Sequence, residues 1–205
     1  MGSLAVSRRD IASGATDSIV EQVAAIARKN LAPMAAAIDE GNLYPGELLR
    51  RLGDVGAWSN HLPRNGAADL RCAIRSIAAL GEVCGATAFM AWCQNTLVWY
   101  AANSGNAALA GEFTDRVSSG QILGGTGLSN PMKTFFGIEK FKLRGRKVDG
   151  GYIVRGALPW VSNLGPDHLF GTIFEREDEP GGIVMFLADC SDAAITLQPC
   201  KPFLA

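Results

Sequence analysis

Histidine is almost missing from this chain: His61 and His168 are the two copies in 205 residues. A metal centre built on imidazoles is therefore short of ligands. The five cysteines, Cys72, Cys84, Cys93, Cys190 and Cys200, are odd in number and far apart, and no C-x-x-C occurs. That pattern argues against a disulfide framework and against zinc, so no metal ligand is assigned. It suits small, buried apolar side chains in a reducing compartment. Neither sign of charge is in excess, with 19 Lys and Arg against 20 Asp and Glu and a net charge of −1. An electrostatic footprint for nucleic acid or an anionic membrane is thus lacking. The loose cluster Lys140, Lys142, Arg144, Arg146 and Lys147 alternates as one solvated strand face would. No Walker A loop, no G-x-G-x-x-G and no G-x-S-x-G is found. Residues Met1–Asp10 carry no apolar h-region, so no signal peptide is expected and a cytoplasmic location is the default.

What is there falls into two textures. Residues 1–16 read as frayed, and Asp17 or Ser18 is a suitable N-cap. Ile19, Val20, Val23, Ile26, Ala27 and Leu31 then recur at helical spacing, and Pro33 predicts a kink or an end. A short helix follows in the stretch Tyr44–Gly56, with Pro45 near its first turn and glycine at its end, and Arg64-Asn65-Gly66 predicts a turn. Residues 67–85, 86–102 and 107–118 read as three further helices. The stretch 86–102 is apolar nearly all round, which predicts burial. It is short for a membrane span and carries Gln94, Asn95 and Thr96 at its middle. Those three either bond one another and neighbouring helices or line a polar ligand.

After Gly120 the chain turns to β-branched residues, aromatics, glycine and turns. Strands are predicted at 121–126, 138–149, 152–158, 169–176, 182–188 and 194–198. Asp149-Gly150-Gly151 is a hairpin signal. Helices first and strands second predict an α+β chain: an all-helical domain over 1–119 and an antiparallel, β-barrel-like domain over 120–205.

Two stretches of the second half could carry chemistry. Gly124-Gly125-Thr126-Gly127 lets a ligand approach the backbone, or it is a tight bend at a sheet edge. Trp160 and Ser162 share a face if the backbone is extended, and one flat ligand with a polar edge could meet both. The plainer reading is a core Trp beside a surface Ser. Asp167-His168 reads as a surface pair, since strand neighbours face opposite ways.

The order of these pieces resembles the acyl-CoA dehydrogenase family. The resemblance lies in a helical first half, then Leu123-Gly124-Gly125-Thr126, then a hairpin, then Gly156 with Trp160-Val161-Ser162-Asn163. Leu52-Gly53-Asp54-Val55-Gly56 with Leu62-Pro63, and Gln94-Asn95-Thr96, add weaker signatures. The resemblance implies an FAD-dependent oxidoreductase that desaturates an acyl-CoA thioester at the α,β position by hydride transfer to flavin. It implies that Thr126, with Leu123 and Gly125 alongside, bonds the pyrimidine edge of the flavin. Trp160 and Val161 would pack at the isoalloxazine, and Ser162 would bond near its reactive nitrogen. Gln94 and Thr96 would line the acyl pocket. An oligomer when full length, and an electron acceptor protein, are implied as well.

Two departures limit what the resemblance carries. The family's T-E-P-x-x-G-S-D reads here Thr126-Gly127-Leu128-Ser129-Asn130-Pro131-Met132-Lys133-Thr134, without the acidic residue or the G-S-D. Ser129 and Thr134 are the hydroxyls that could stand in. The sequence given ends at Ala205, within the β half, whereas the family's catalytic carboxylate sits in a C-terminal helical domain. A truncated chain, inactive alone and with no catalytic residue assigned, is therefore expected. A flavin-dependent monooxygenase of the same architecture and a non-catalytic interaction module are the alternatives.

Overall fold

The computed structural model describes residues 8–63 and 68–200. The Arg64-Asn65-Gly66 turn and the last five residues lie outside them. The chain divides into two compact units, Met1–Ile122 and Leu123–Ala205.

The first unit is helical. Helix α1 spans Arg8–Ile26, so the helix begins ahead of the Asp17–Ser18 cap that the sequence suggests. Between Arg8 and Asp17 only Gly14 opposes a helix. The chain then loosens through a wide π turn, Ala27–Leu31, and tightens into a 3-10 turn at Ala32–Met34, where Pro33 sits. A proline lacks the N–H that an α-helix would need there, and the 3-10 turn absorbs the loss. Helix α2 (Ala35–Asp39) and helix α3 (Gly46–Asp54) follow. Helix α4 (Leu70–Gly81) is shorter than the expected 67–85: it is capped by Asp69, whose carboxylate accepts from the Cys72 N–H at 3.1 Å. Helix α5 spans Gly85–Ala102, and a second wide turn at Leu109–Phe113 leads into helix α6, Thr114–Ser118.

Helix α4 packs against both α1 and α5, and α5 against α6. Val23, Leu31, Leu49, Leu52, Leu80, Leu97 and Val98 are fully enclosed. Trp58 is buried with them, and its indole N–H donates to the Leu49 carbonyl at 3.0 Å. Gly53 is a place of forced close approach. A Cβ there would stand 2.3 Å from the Ser119 carbonyl oxygen, so the absent side chain lets α3 lie on the end of α6. Arg50 ties the same junction by donating to the carbonyls of Gly120 and Gln121 at 3.1 and 2.7 Å.

Helix α5 is not buried all round. Phe89, Trp92 and Trp99 are exposed, and Phe89 stacks on Trp92 at 5.6 Å. Apolar content alone predicts an enclosed helix, but this unit closes over only one flank of it.

The second unit is one five-stranded sheet with a short helix. Its strands are β1 (Gly124–Thr126), β2 (Leu143–Val148), β3 (Gly151–Gly156), β4 (Leu169–Arg176) and β5 (Ile183–Asp189). Strand β4 is the spine. On one edge it pairs antiparallel with β5 from Leu169↔Asp189 to Glu175↔Ile183. On the other edge it pairs parallel with β1 near its start (Gly124↔Leu169) and with β2 near its end (Arg144↔Glu175). Two pairings are thus parallel, so the sheet is mixed rather than antiparallel. The reason is the long passage between β1 and β4, which lets the chain return in the same direction.

Strands β2 and β3 form the expected hairpin through Asp149-Gly150. Lys142, Arg144 and Arg146 share the solvated face while Leu143 and Gly145 are buried between them. Strand β2 starts later than predicted because Asn130 occupies the preceding chain. Its side chain accepts from the Lys142 N–H and donates to the Lys140 carbonyl. The strand expected at 194–198 does not form: Asp192 accepts from the Ala194 N–H at 2.8 Å through its carboxylate, closing a turn, and residues 195–198 run on without regular structure. Residues Ser129–Phe135 form helix α7.

Candidate active site

Strand β1 ends at Thr126, and its glycines are buried in the sheet. The Leu123 carbonyl accepts from the Leu169 N–H at 3.1 Å, and the Gly127 N–H donates to the Gly171 carbonyl at 2.8 Å. The Thr172 hydroxyl donates to the Gly127 carbonyl at 3.0 Å. Both ends of β1 are therefore fixed to β4. The Thr126 hydroxyl accepts from the Leu128 N–H at 3.3 Å, which turns the chain toward α7.

The loop between β3 and β4 carries the second group of candidates. Leu158, Val161 and Leu164 turn inward and pack on Phe170, Ala188 and Cys190. Trp160 does not join them: it is 56% exposed. Its backbone is left-handed, with φ 62°, and so is that of Asn163, with φ 58°. A bulky residue in this region costs roughly 1–3 kcal/mol and persists only when its surroundings fix it. The extended geometry that would put Trp160 and Ser162 on one face is therefore not what the chain adopts. Asn163 accepts left-handed backbone more readily, and its side-chain N–H donates to the Gly124 carbonyl at 2.7 Å. That bond fastens the Trp160–Asn163 loop to β1. Thr126, Gly125 and Leu123 on one side and Trp160, Val161 and Ser162 on the other are thus tied through Gly124. Leu123 and Val161 spend their side chains on packing.

The other candidates are placed differently. Gln94, in the helical unit, is fully buried, and its amide donates to the carbonyls of Val117 and Ile122, each at 2.9 Å. Thr96 is half-buried and its hydroxyl donates to the Trp92 carbonyl at 2.8 Å. Asn95 and His61 are buried with their side-chain polar atoms unpaired among the described residues. Burial holds His61 below the usual imidazole range. Burial also pushes the Cys93 thiol up to about 12, which makes it inert packing.

Helix α7 follows Thr126 directly. Ser129 is exposed on it, and the Thr134 hydroxyl donates to the Asn130 carbonyl at 2.9 Å. Asn130 also donates to Glu139 at 2.9 Å, and with Lys133 it holds that carboxyl below the usual range. A cleft of about 370 Å³ lies beside this network, lined by Thr134, Glu139, Lys140, Phe141, Arg144 and Glu175. Of its charged lining, Arg144 pairs with Glu175 at 2.6 Å, and Glu139 pairs with Lys133, outside the lining, at 3.2 Å. Among the described residues no group of three metal-ligating side chains gathers, and no helix is long and apolar enough to cross a membrane.

Two residues of this arrangement escape sequence reading. His168, read as one of a surface pair, is 2% exposed and lies beneath the loop. Asn163 stands in the quoted motif, but nothing in its spacing announces the bond to Gly124.

A sequence profile described as "Acyl-CoA dehydrogenase, N-terminal domain" matches residues 14–121. The chain belongs to the acyl-CoA dehydrogenase family. Among curated members it is 25% identical over 187 residues to benzylmalonyl-CoA dehydrogenase of Aromatoleum aromaticum, covering 88% of this chain and 48% of that protein. It is 28% identical to the mitochondrial isovaleryl-CoA dehydrogenase of Arabidopsis thaliana, over 79% of this chain and 41% of the relative. Among solved structures, a glutaryl-CoA dehydrogenase from Mycobacterium smegmatis in complex with FADH2 superposes with a TM-score of 0.76 at 20% identity. That match covers 93% of this chain and 49% of the other. Butyryl-CoA dehydrogenase of Megasphaera elsdenii gives 0.73 at 18% identity, over 92% and 50% of the two chains. The acyl-CoA dehydrogenase fold is thus common to all of this chain's two units, while the chain spans about half the length of the relatives it matches.

Proposed function

We propose that this chain forms part of an FAD-dependent oxidoreductase that desaturates an acyl-CoA thioester between its α and β carbons. The observation that carries the reading is Trp160: exposed, left-handed, and fastened beside β1 by Asn163. An exposed aromatic held in costly backbone suits a wall for a flat ligand. The flavin, when bound, accepts the hydride. Thr126 and the backbone at Gly125 and Leu123 would hold its pyrimidine edge. Trp160 and the Val161 backbone would flank its ring, and the Ser162 hydroxyl would serve its reactive edge. Placing these groups before the ligand arrives lowers the ordering cost of binding and keeps water from the reacting centre.

On the helical unit, Thr96 lies on the exposed flank of α5 with Trp92 and Trp99 and is our substrate contact. Gln94 supports that flank from inside by holding the chain after α6. We assign no catalytic base to a described residue. Electrons leaving the flavin pass to an acceptor protein, and the complete protein is oligomeric.

A flavin-dependent monooxygenase is the second reading, and α7 is the observation behind it. Its Asn130 and Thr134 are committed to internal bonds, so the stretch after Thr126 is built differently from an open phosphate-binding turn.

Flavin titration of the purified chain, followed by quenching of flavin fluorescence, tests the cofactor. Anaerobic addition of an acyl-CoA panel to the flavin-loaded protein then separates the two reactions. Bleaching of the flavin by any member of the panel supports desaturation and argues against the monooxygenase. A chain that ignores flavin altogether removes Trp160 as a flavin wall in the chain as it stands.

A further inference from the structure

We infer that His168 is a positioning residue, the latch that holds the Trp160–Asn163 loop in the conformation that presents Trp160 and Ser162. His168 touches no expected ligand site itself. Its ring lies 2% exposed under the loop, and Nδ1 is 3.0 Å from the Asn163 carbonyl oxygen. A carbonyl can only accept, so Nδ1 carries the hydrogen and donates it. The opposite nitrogen, Nε2, faces the Asp167 carboxylate at 3.7 Å. The backbone of His168 is also clamped. The His168 N–H donates to the Gly165 carbonyl at 3.1 Å, and the Cys190 N–H donates to the His168 carbonyl at 2.9 Å. A Cβ on Gly165 would stand 3.1–3.3 Å from three atoms of the imidazole, so the loop folds tightly over its face.

These contacts form a chain with a direction. His168 grips the backbone carbonyl of Asn163. The side chain of Asn163 grips the Gly124 carbonyl on β1. Between the two left-handed residues, Trp160 and Asn163, lie Val161 and Ser162. One end of this four-residue arch is thus held from below by the imidazole and from the side by the sheet. Strained backbone of this kind relaxes unless its surroundings over-determine it. His168 is the buried polar group that supplies the restraint at Asn163. The consequence for flavin binding rests on the function proposed above; the latch does not.

The test uses the whole 205-residue chain, labelled with ¹⁵N, and two variants. His168→Leu keeps bulk but has no donor. In His168→Asn, the side-chain nitrogen takes the place of Nδ1. Expected in the native chain is an Nδ1 that carries a hydrogen, read from its ring nitrogen shift. Expected in His168→Leu are displaced signals for the Asn163 side-chain amide and the Trp160 indole N–H, with the Gly127 N–H of the β1–β4 pairing unmoved. His168→Asn restores both signals. If flavin binds the native chain, its Kd rises roughly tenfold in His168→Leu, the size of one lost hydrogen bond, and recovers in His168→Asn. An imidazole protonated on Nε2 alone overturns the inference, a result that needs no variant to fold. So does a His168→Leu chain whose Asn163 and Trp160 signals stay in place. Shifted loop signals in a chain that never binds flavin keep the latch and remove the flavin reading.

Discussion

The side-chain amide of Asn163 reaches the Gly124 carbonyl across 39 residues of sequence and bonds it at 2.7 Å. This bond joins the loop that carries Trp160 to the strand that carries Thr126. Two demands meet at Asn163: a left-handed backbone and a side-chain donor. Asn163→Gly keeps the first and loses the second, whereas Asn163→Ala loses both. Urea unfolding should show Asn163→Gly losing about 1 kcal/mol, the worth of one hydrogen bond. Asn163→Ala should lose about 1–2 kcal/mol more, the cost of left-handed backbone with a Cβ. Equal losses in the two would mean that backbone strain plays no part at this position.

Gly53 makes a sharper demand, because the clash it avoids is with backbone. A methyl group would stand 2.3 Å from the Ser119 carbonyl oxygen and 2.7 Å from the Gly120 nitrogen. Neither atom belongs to a side chain that can swing away. Gly53→Ala should therefore destabilise the helical unit by about 2–3 kcal/mol, in the upper range for overpacking. A thermal melt of the variant at or above the native midpoint would count against this packing of α3 on α6.

The pH dependence of the helical unit follows from His61. Burial lowers its pKa in the folded chain, so the unfolded chain binds the proton more tightly. The stabilising effect of the neutral ring is complete above about 6.5, the unfolded value. It is lost progressively as pH falls below that value and on down through the folded pKa. His61→Phe keeps an aromatic ring beside Trp99, whose centroid lies 6.1 Å away. Stability measured from pH 8 down to pH 5 should fall less steeply in His61→Phe than in the native chain. Parallel slopes would show that His61 is not the titrating group.

The cysteines should separate by reactivity. Cys72, Cys84, Cys93 and Cys190 are buried and Cys200 is exposed, all with free thiols. Cys93, pushed up to about 12, is protonated across the ordinary pH range. A thiol reagent at pH 8 should label Cys200 at once and the other four only after denaturation. Rapid labelling of Cys93 would show that α5 opens in solution.

How much of this could be read in advance depends on the range of the interaction. Local signals carried far: the Asp149-Gly150 hairpin and the helices around residues 46–54, 70–81 and 85–102 follow from turn chemistry and apolar spacing. The parallel pairings of β4 depend on where a distant strand returns, which spacing does not encode. The exposed aromatics of α5 show the same limit, since apolarity records what a face avoids and not what covers it. The strand rule misplaces His168, since adjacent strand residues face opposite ways whereas Asp167 and His168 lie ahead of β4. At the candidate site, residue identity alone singles out Trp160, Ser162 and Thr126. The left-handed geometry of the loop needed the structure.

Trp160 offers the strictest test, because stability and function should move in opposite directions there. Its φ of 62° is costly for a bulky side chain, and its 56% exposure limits what burial returns. Asparagine tolerates left-handed backbone far better. Trp160→Asn should therefore raise stability to urea by up to about 1 kcal/mol, at the low end of what such strain stores. It should also weaken flavin binding, because the flat apolar wall is gone. Trp160→Phe keeps the strain and part of the wall, so it should bind flavin with intermediate affinity and gain no stability. A Trp160→Asn chain that is less stable yet binds flavin as tightly as the native one would show Trp160 to be packing, and the flavin wall would have to be sought elsewhere.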